Sequence, residues 1–216
     1  MTRLIKNLID KDVIESLLDP LEEEIKELTT GARWNENRGH IRMVTKANCL
    51  EHLHKDIQEK IEKELNVNLL PTYWFTTQYS NGSFMVPHID RASCQISVTV
   101  NFFKDHDWPI NIYQYNDESR LVQTESVELE PGDGLIYNGT HEMHGRPKPF
   151  KGEKFIQTFF HYVDADDEFY VNHIDIKRQR ECVRNTSSDG TEETGPYRGH
   201  AMGTDYNEIR EQQNDE

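Results

Sequence analysis

The residues best equipped for chemistry in this chain of 216 residues are its ten histidines, read with the acids that follow them. In a chain with 39 Asp and Glu, roughly two histidines should by chance carry an acid two positions on, so the triplet alone says little. Three such triplets occur, and their surroundings separate them. His54-Lys55-Asp56 lies in a helical pattern, where residues two apart point about 200° away from each other and cannot share an ion. His173-Ile174-Asp175 follows the last strand, with only His200 downstream as a further ligand. His88-Ile89-Asp90 lies in extended sequence, where positions i and i+2 project to one side and both side chains can reach one ion.

A third ligand for that pair is on offer in the segment Tyr137–Gly145, which contains His141 and His144 and follows Pro131-Gly132-Asp133-Gly134 and a short strand. Two imidazoles and one carboxylate around iron leave three coordination positions open, and the single negative ligand leaves a net positive site that attracts anionic chelators. Lys154 opens the strand-like run 155–163, and Thr158 lies four residues on, on the same strand face. An ammonium there could hold a carboxylate at a fixed distance from the metal.

The elements that must position these groups fall into two blocks. Val13, Ile14, Leu17, Leu18, Leu21, Ile25 and Leu28 recur at helical spacing, and Pro20 should kink or divide that helix. Leu50, Leu53, Ile57, Ile61 and Leu65 form a second stripe, with Asn48 and Glu51 spaced as a capping box. From Leu69 the period changes to two. β-branched and aromatic segments at 73–80, 94–103, 110–116, 121–129, 134–138 and 154–163 are separated by turn residues. Helices followed by evenly spaced short strands indicate an α+β domain, a sandwich or barrel with helices packed on one side. On the strand at 94–102, Gln95, Ser97, Thr99 and Asn101 share a face that is polar but uncharged, as expected for the wall of a wet cavity.

Composition narrows the partners. The formal charge of −15 argues against duplex nucleic acid. No apolar run is long enough for a membrane span or a secretion signal, which suggests a cytoplasmic location. Cys49, Cys94 and Cys182 are too scattered to form a disulfide framework or a thiolate metal site. The expected organisation is one domain over 1–183, with a helical part at 10–66 and a β core at 69–165. A polar tail over 184–216 completes the chain.

Taken in order, Tyr79-x-x-Gly82-x-x-x-x-Pro87-His88-x-Asp90, then His144-Gly145, then Lys154-x-x-x-Thr158, resembles the Fe(II)- and 2-oxoglutarate-dependent dioxygenases, particularly their prolyl 4-hydroxylase-like branch. The resemblance implies a double-stranded β-helix (jelly-roll) core over residues 70–165. It implies His88, Asp90 and His144 as iron ligands, with Lys154 and Tyr79 on 2-oxoglutarate and Thr158 beside them. It also favours His144 over His141, since His144 has the following glycine and the interval to Lys154. The implied reaction uses O2 to convert 2-oxoglutarate to succinate and CO2 while hydroxylating a substrate. The chain departs from the family pattern at Met85 and at Asp107-Trp108-Pro109-Ile110, so prolyl hydroxylation does not follow.

Such chemistry needs a water-excluding cover. The candidates are the segment 31–46, whose Arg33, Arg38, Arg42 and Lys46 stand out in an acidic chain, and the loop from Lys104 to Ile110 with Trp108. Arg38, Arg42 and Trp108 are accordingly expected at a substrate, a small molecule or peptide of anionic character. Two other readings compete: a metal-binding cupin that does not use 2-oxoglutarate, and a non-catalytic jelly-roll binding module.

Overall fold

A computed structural model of the protein describes residues 1–29 and 31–172. His173, Asp175, Cys182, His200 and the segment 184–216 lie outside the described residues. In chain order the elements are β1 (Arg3–Ile5), α1 (Lys11–Leu28), β2 (Arg33–Asn35), β3 (Gly39–Thr45), α2 (Glu51–Leu65), β4 (Leu69–Tyr79), β5 (Met85–His88), β6 (Ile96–Lys104), β7 (Ile110–Tyr115), β8 (Leu121–Val127), β9 (Gly134–Asn138), β10 (Met143–Arg146) and β11 (Phe155–Asp164).

The strands form a seven-stranded sheet, ordered β1-β9-β6-β11-β4-β3-β2, and a four-stranded sheet, ordered β5-β10-β7-β8. All recorded pairings are antiparallel. Alternation along each strand assigns its two faces. On β6 and β11, Val98, Val100, Ile156, Phe160 and Tyr162 join Leu21, Ile25, Leu53 and Ile57 of the helices in the main apolar core. The opposite face of the same strands carries Ser97, Thr99, Asn101, Gln157 and His161, all buried. A second apolar cluster ties this side to the smaller sheet through Met85, Ile110 and Ile112 against Leu135 and Tyr137. The result is an α+β double-stranded β-helix with both helices on the outer face of the larger sheet. The polar face read from the sequence lies between the sheets.

Three local expectations are revised. α1 runs unbroken through Pro20. Pro20 and Ser16, whose carbonyl loses its helical donor, are both exposed residues on the solvent side of the helix. The capping box does not form. A 3-10 turn at Asn48–Leu50 precedes α2, and Glu24 of α1 accepts hydrogen bonds from the backbone N–H groups of Asn48 (2.7 Å) and Cys49 (2.8 Å). Finally, the segment 31–46 is not a free loop. It folds into the β2–β3 hairpin at the edge of the larger sheet, with Met43 opposite Thr77 and Ile41 opposite Tyr79. Among the described residues no helix is long and apolar enough to cross a membrane.

This packing makes two substitutions unequal. Leu21→Ala, at a fully buried position, should cost about 2–5 kcal/mol in denaturant unfolding. Glu24→Ala, which removes only the cap, should cost about 1 kcal/mol. Equal losses would contradict the assignment of Leu21 to the core.

Candidate active site

β5 and β10 pair so that His88 stands opposite His144. β5 is an edge strand, so Pro87 can sit within it without breaking a ladder. Each imidazole is oriented by a backbone carbonyl: Nδ1 of His88 donates to Val86 (2.8 Å) and Nδ1 of His144 to Glu142 (2.9 Å). Because a carbonyl only accepts, both Nδ1 atoms carry a proton, which in the neutral ring leaves Nε2 with its lone pair. Those lone pairs lie beside one carboxylate, with His88 Nε2 3.6 Å from Asp90 Oδ1 and His144 Nε2 3.7 Å from Asp90 Oδ2. The donor atoms of His88, Asp90 and His144 all fall within 4.8 Å of one another, a spacing that fits one divalent ion. Of the two downstream histidines, His141 is instead exposed and its Nδ1 turns to Thr140 and Asn138.

Asp90 is held from two sides. Its backbone N–H donates to Gly139 at 2.6 Å, and its Oδ2 lies 3.3 Å from the Ser97 hydroxyl. Gly139 has no room for a side chain, since a Cβ would stand 2.6 Å from Asp90 Oδ2 and 2.4 Å from the Cys94 carbonyl. Ser97 also meets the Cys94 carbonyl (3.1 Å) and His161 Nδ1 (3.0 Å). A carboxylate and a carbonyl offer no hydrogen, so the network closes best when Nδ1–H of His161 donates to Ser97 and Ser97 donates onward. His161 Nε2 is then a bare lone pair, buried and without a partner in the protein.

Burial pushes His144 down to about 4 and His161 to about 3, keeping both imidazoles neutral near pH 7. For Asp90 burial alone would favour the acid, but the facing His144, His88 and His161 outweigh it and hold the carboxyl below its usual range. A carboxylate flanked by neutral imidazoles is the state a metal requires.

The other expected residues divide. Tyr79 is fully buried, with its hydroxyl unpartnered in the protein. Lys154 is a correction. Its Nζ lies 2.6 Å from Glu22 on α1 and 4.4 Å from the centre of the Phe103 ring. Thr158 shares its strand parity and bonds Thr76 (2.8 Å). Even-numbered residues of β11 face the helices, so neither side chain joins the three donors. Arg42 likewise lies on the face of β3 that carries Val44 toward the helices. Trp108 is no flap, since only 4% of it is exposed and its indole donates to the Lys148 carbonyl.

Arg146 is the residue that sequence reasoning missed. It follows His144 by two on β10 and is fully buried. Its guanidinium lies over Trp108 (5.1 Å) and Phe155 (5.2 Å), its Nε donates to the Trp108 carbonyl, and its Nη1 has no partner in the protein. Burial lowers its pKa to about 10 against the nearby Tyr79 and Tyr137, which leaves it charged. The signal was present: if His144 points inward on a strand, so does the residue two further on.

Two tests follow from this geometry. Gly139→Ala should displace Asp90 and weaken Ni(II) or Fe(II) binding by 10-fold or more on the scale of disturbed outer ligand supports, read by calorimetry. Wild-type affinity in that variant would remove Gly139 from the site. Buried neutral His144, His161 and His54 bind protons less readily folded than unfolded, so their stabilisation is complete above about pH 6.5 and is lost as pH falls toward 4. The melting temperature of the metal-free protein should therefore drop between pH 7 and 5, and a flat profile would refute their neutral burial.

No protein-family model matches the sequence, and no curated protein does. Solved structures do. The epimerase SnoN from nogalamycin biosynthesis, described as non-heme and alpha-ketoglutarate dependent, superposes with a TM-score of 0.62 at 14% identity, covering 93% of this chain and 91% of its own. A Pseudomonas putida prolyl-4-hydroxylase gives 0.58 at 13% identity over 76% of this chain and 92% of its own. HygX from Streptomyces hygroscopicus, solved with nickel, 2-oxoglutarate and hygromycin B, gives 0.56 at 12% identity over 76% and 83%. What the chain shares with these proteins at such identities is the fold, a double-stranded β-helix.

Proposed function

We propose that the protein is an Fe(II)- and 2-oxoglutarate-dependent oxygenase that couples oxidative decarboxylation of 2-oxoglutarate, to succinate and CO2, to hydroxylation of a small molecule or peptide. The observation that carries this reading is a buried, charged and incompletely paired Arg146 two residues from His144. A buried cation with an unmet N–H calls for an anion. A guanidinium fork suits a carboxylate, and the tail of a keto acid chelating an ion at His88, Asp90 and His144 would supply one.

His88, Asp90 and His144 would hold the iron, which when bound supplies the oxygen-activating chemistry. The chain's own residues do the rest. Arg146 and the Tyr79 hydroxyl bind the distal carboxylate, so that the keto acid lies along the wall between the sheets. Trp108 and Phe155, backed by Phe150, form the apolar shell at Arg146. That shell keeps water from the ion pair and strengthens it. Ser97 restrains Oδ2 of Asp90, leaving Oδ1 toward His88. A cupin that dispenses with 2-oxoglutarate would leave the unmet N–H of Arg146 without the carboxylate it calls for.

Anaerobic addition of Fe(II) and then 2-oxoglutarate should produce the weak visible absorption of an iron-bound keto acid. The band should vanish in His88→Ala and need about tenfold or more 2-oxoglutarate in Arg146→Met. Lys154→Ala should leave it unchanged. Metal binding without the band would favour the cupin, and dependence on Lys154 rather than Arg146 would reverse the assignment of the anchor.

A further inference from the structure

Beside the metal donors the larger sheet carries a second set of groups that the reaction described above does not use. Tyr73, Phe75, Phe159 and His161 form a row of rings across β4 and β11 that face one another, with Tyr73 tilted 40° to His161. Phe75 stacks on Phe159 at 4.7 Å and 17°, on Tyr73 at 6.2 Å and 19°, and on His161 at 5.6 Å and 24°. The row begins next to Asp90, because His161 and Asp90 both contact Ser97.

A guanidinium stands at each side. Arg38 lies over Phe75 (5.4 Å) and Phe159 (5.8 Å), and Arg91 lies over Tyr73 (5.3 Å). Arg38 is not a loose surface charge. Its turn between β2 and β3 is fastened to the strand of His88, with Phe84 N–H donating to the Arg38 carbonyl and Val86 N–H to that of Asn37. Gly39 permits this approach, having φ +75° and standing where a Cβ would come within 3.0 Å of Ser83 Cα. Among the described residues Arg38 makes no ion pair, and its Nη1 is enclosed without a hydrogen-bond partner.

A stacked guanidinium is positioned by its faces and binds by its edge. An unmet guanidinium N–H selects an anion, and the row of ring edges beside it offers edge-to-face contacts to an aromatic ring. We infer that the prime substrate is an organic anion with a planar, conjugated body, its carboxylate or phosphate taken by Arg38 and the face of its ring meeting the edge of the half-buried Phe75. This rests on the proposed oxygenase function only in calling that ligand the prime substrate, since the slot itself needs no metal.

The test is ligand-observed NMR on the full chain, with and without Ni(II) and 2-oxoglutarate, using phenyl phosphate, benzoate, benzyl alcohol, cyclohexanecarboxylate and inorganic phosphate as probes. Phenyl phosphate or benzoate should bind best, the stronger of the two identifying the anion. Arg38→Met, which keeps the stem on the rings, should weaken that probe by about tenfold while leaving 2-oxoglutarate affinity within about twofold. Phe75→Leu should erase the preference for benzoate over cyclohexanecarboxylate. Benzyl alcohol binding as tightly as the anions overturns the inference. So does a loss of 2-oxoglutarate affinity in Arg38→Met, which would hand the arginine to the cosubstrate. Probe binding by a protein that fails to take 2-oxoglutarate would support the slot and remove the oxygenase reading instead.

Discussion

The antiparallel pairing of β5 with β10 is the constraint on which the candidate site depends. It sets His88 opposite His144, and strand pairing specifies positions to fractions of an ångström where loops do not. The register has to be right because a slip of one residue would turn both imidazoles to the other face. Met85 and Ile112 in the second apolar cluster supply the burial that makes any other register costly. The two Nδ1–carbonyl bonds then fix ring rotation, so that backbone geometry alone aims both lone pairs at Asp90.

Around that pair the protein accepts an interior richer in polar atoms than an apolar core would be. Thr77, Tyr79, Asn101, Arg146 and Gln157 each hold a buried atom without a partner in the protein. Unsatisfied groups in a low-dielectric interior are destabilising unless something from outside meets them. Their concentration between the sheets, while the buried Thr76 and Thr158 of the helix-facing side satisfy each other within a mainly apolar core, separates the two jobs of the larger sheet. One face supplies stability and the other supplies binding groups. The helices are therefore scaffold, and Lys154 with its partner Glu22 belongs to their attachment.

Strand parity explains why some residues were legible and others were not. The strands of 134–138 and 110–115 could be read from alternation because each is flanked by turn residues and rich in β-branched or aromatic side chains. β1, β2, β3 and β10 were not anticipated, and β5 only as extended sequence at His88, all being short, polar or broken by Pro87 and stable only because neighbouring strands complete them. The same limit misplaced Lys154. Its spacing from His144 gives distance along the chain, but which face of β11 it takes depends on the β6–β11 pairing, with its irregularity between Ile156 and Gln157. Arg146 drew no notice because a lone arginine after His-Gly reads as surface until its strand is known to be interior.

From residue types and order alone came the α+β class, the helical half followed by the β half, the polar wall of Ser97, Thr99 and Asn101, and the convergence of His88 and Asp90. These are local periodicities and i, i+2 relations, which a chain carries in itself. The resemblance already favoured His144 over His141, but the turning of Lys154 toward α1, the burial of Arg146 and the seating of Arg38 against the His88 strand were decided only when the sheets formed. Each depends on which strand lies beside which, and that is settled by burial of surface between residues far apart in sequence.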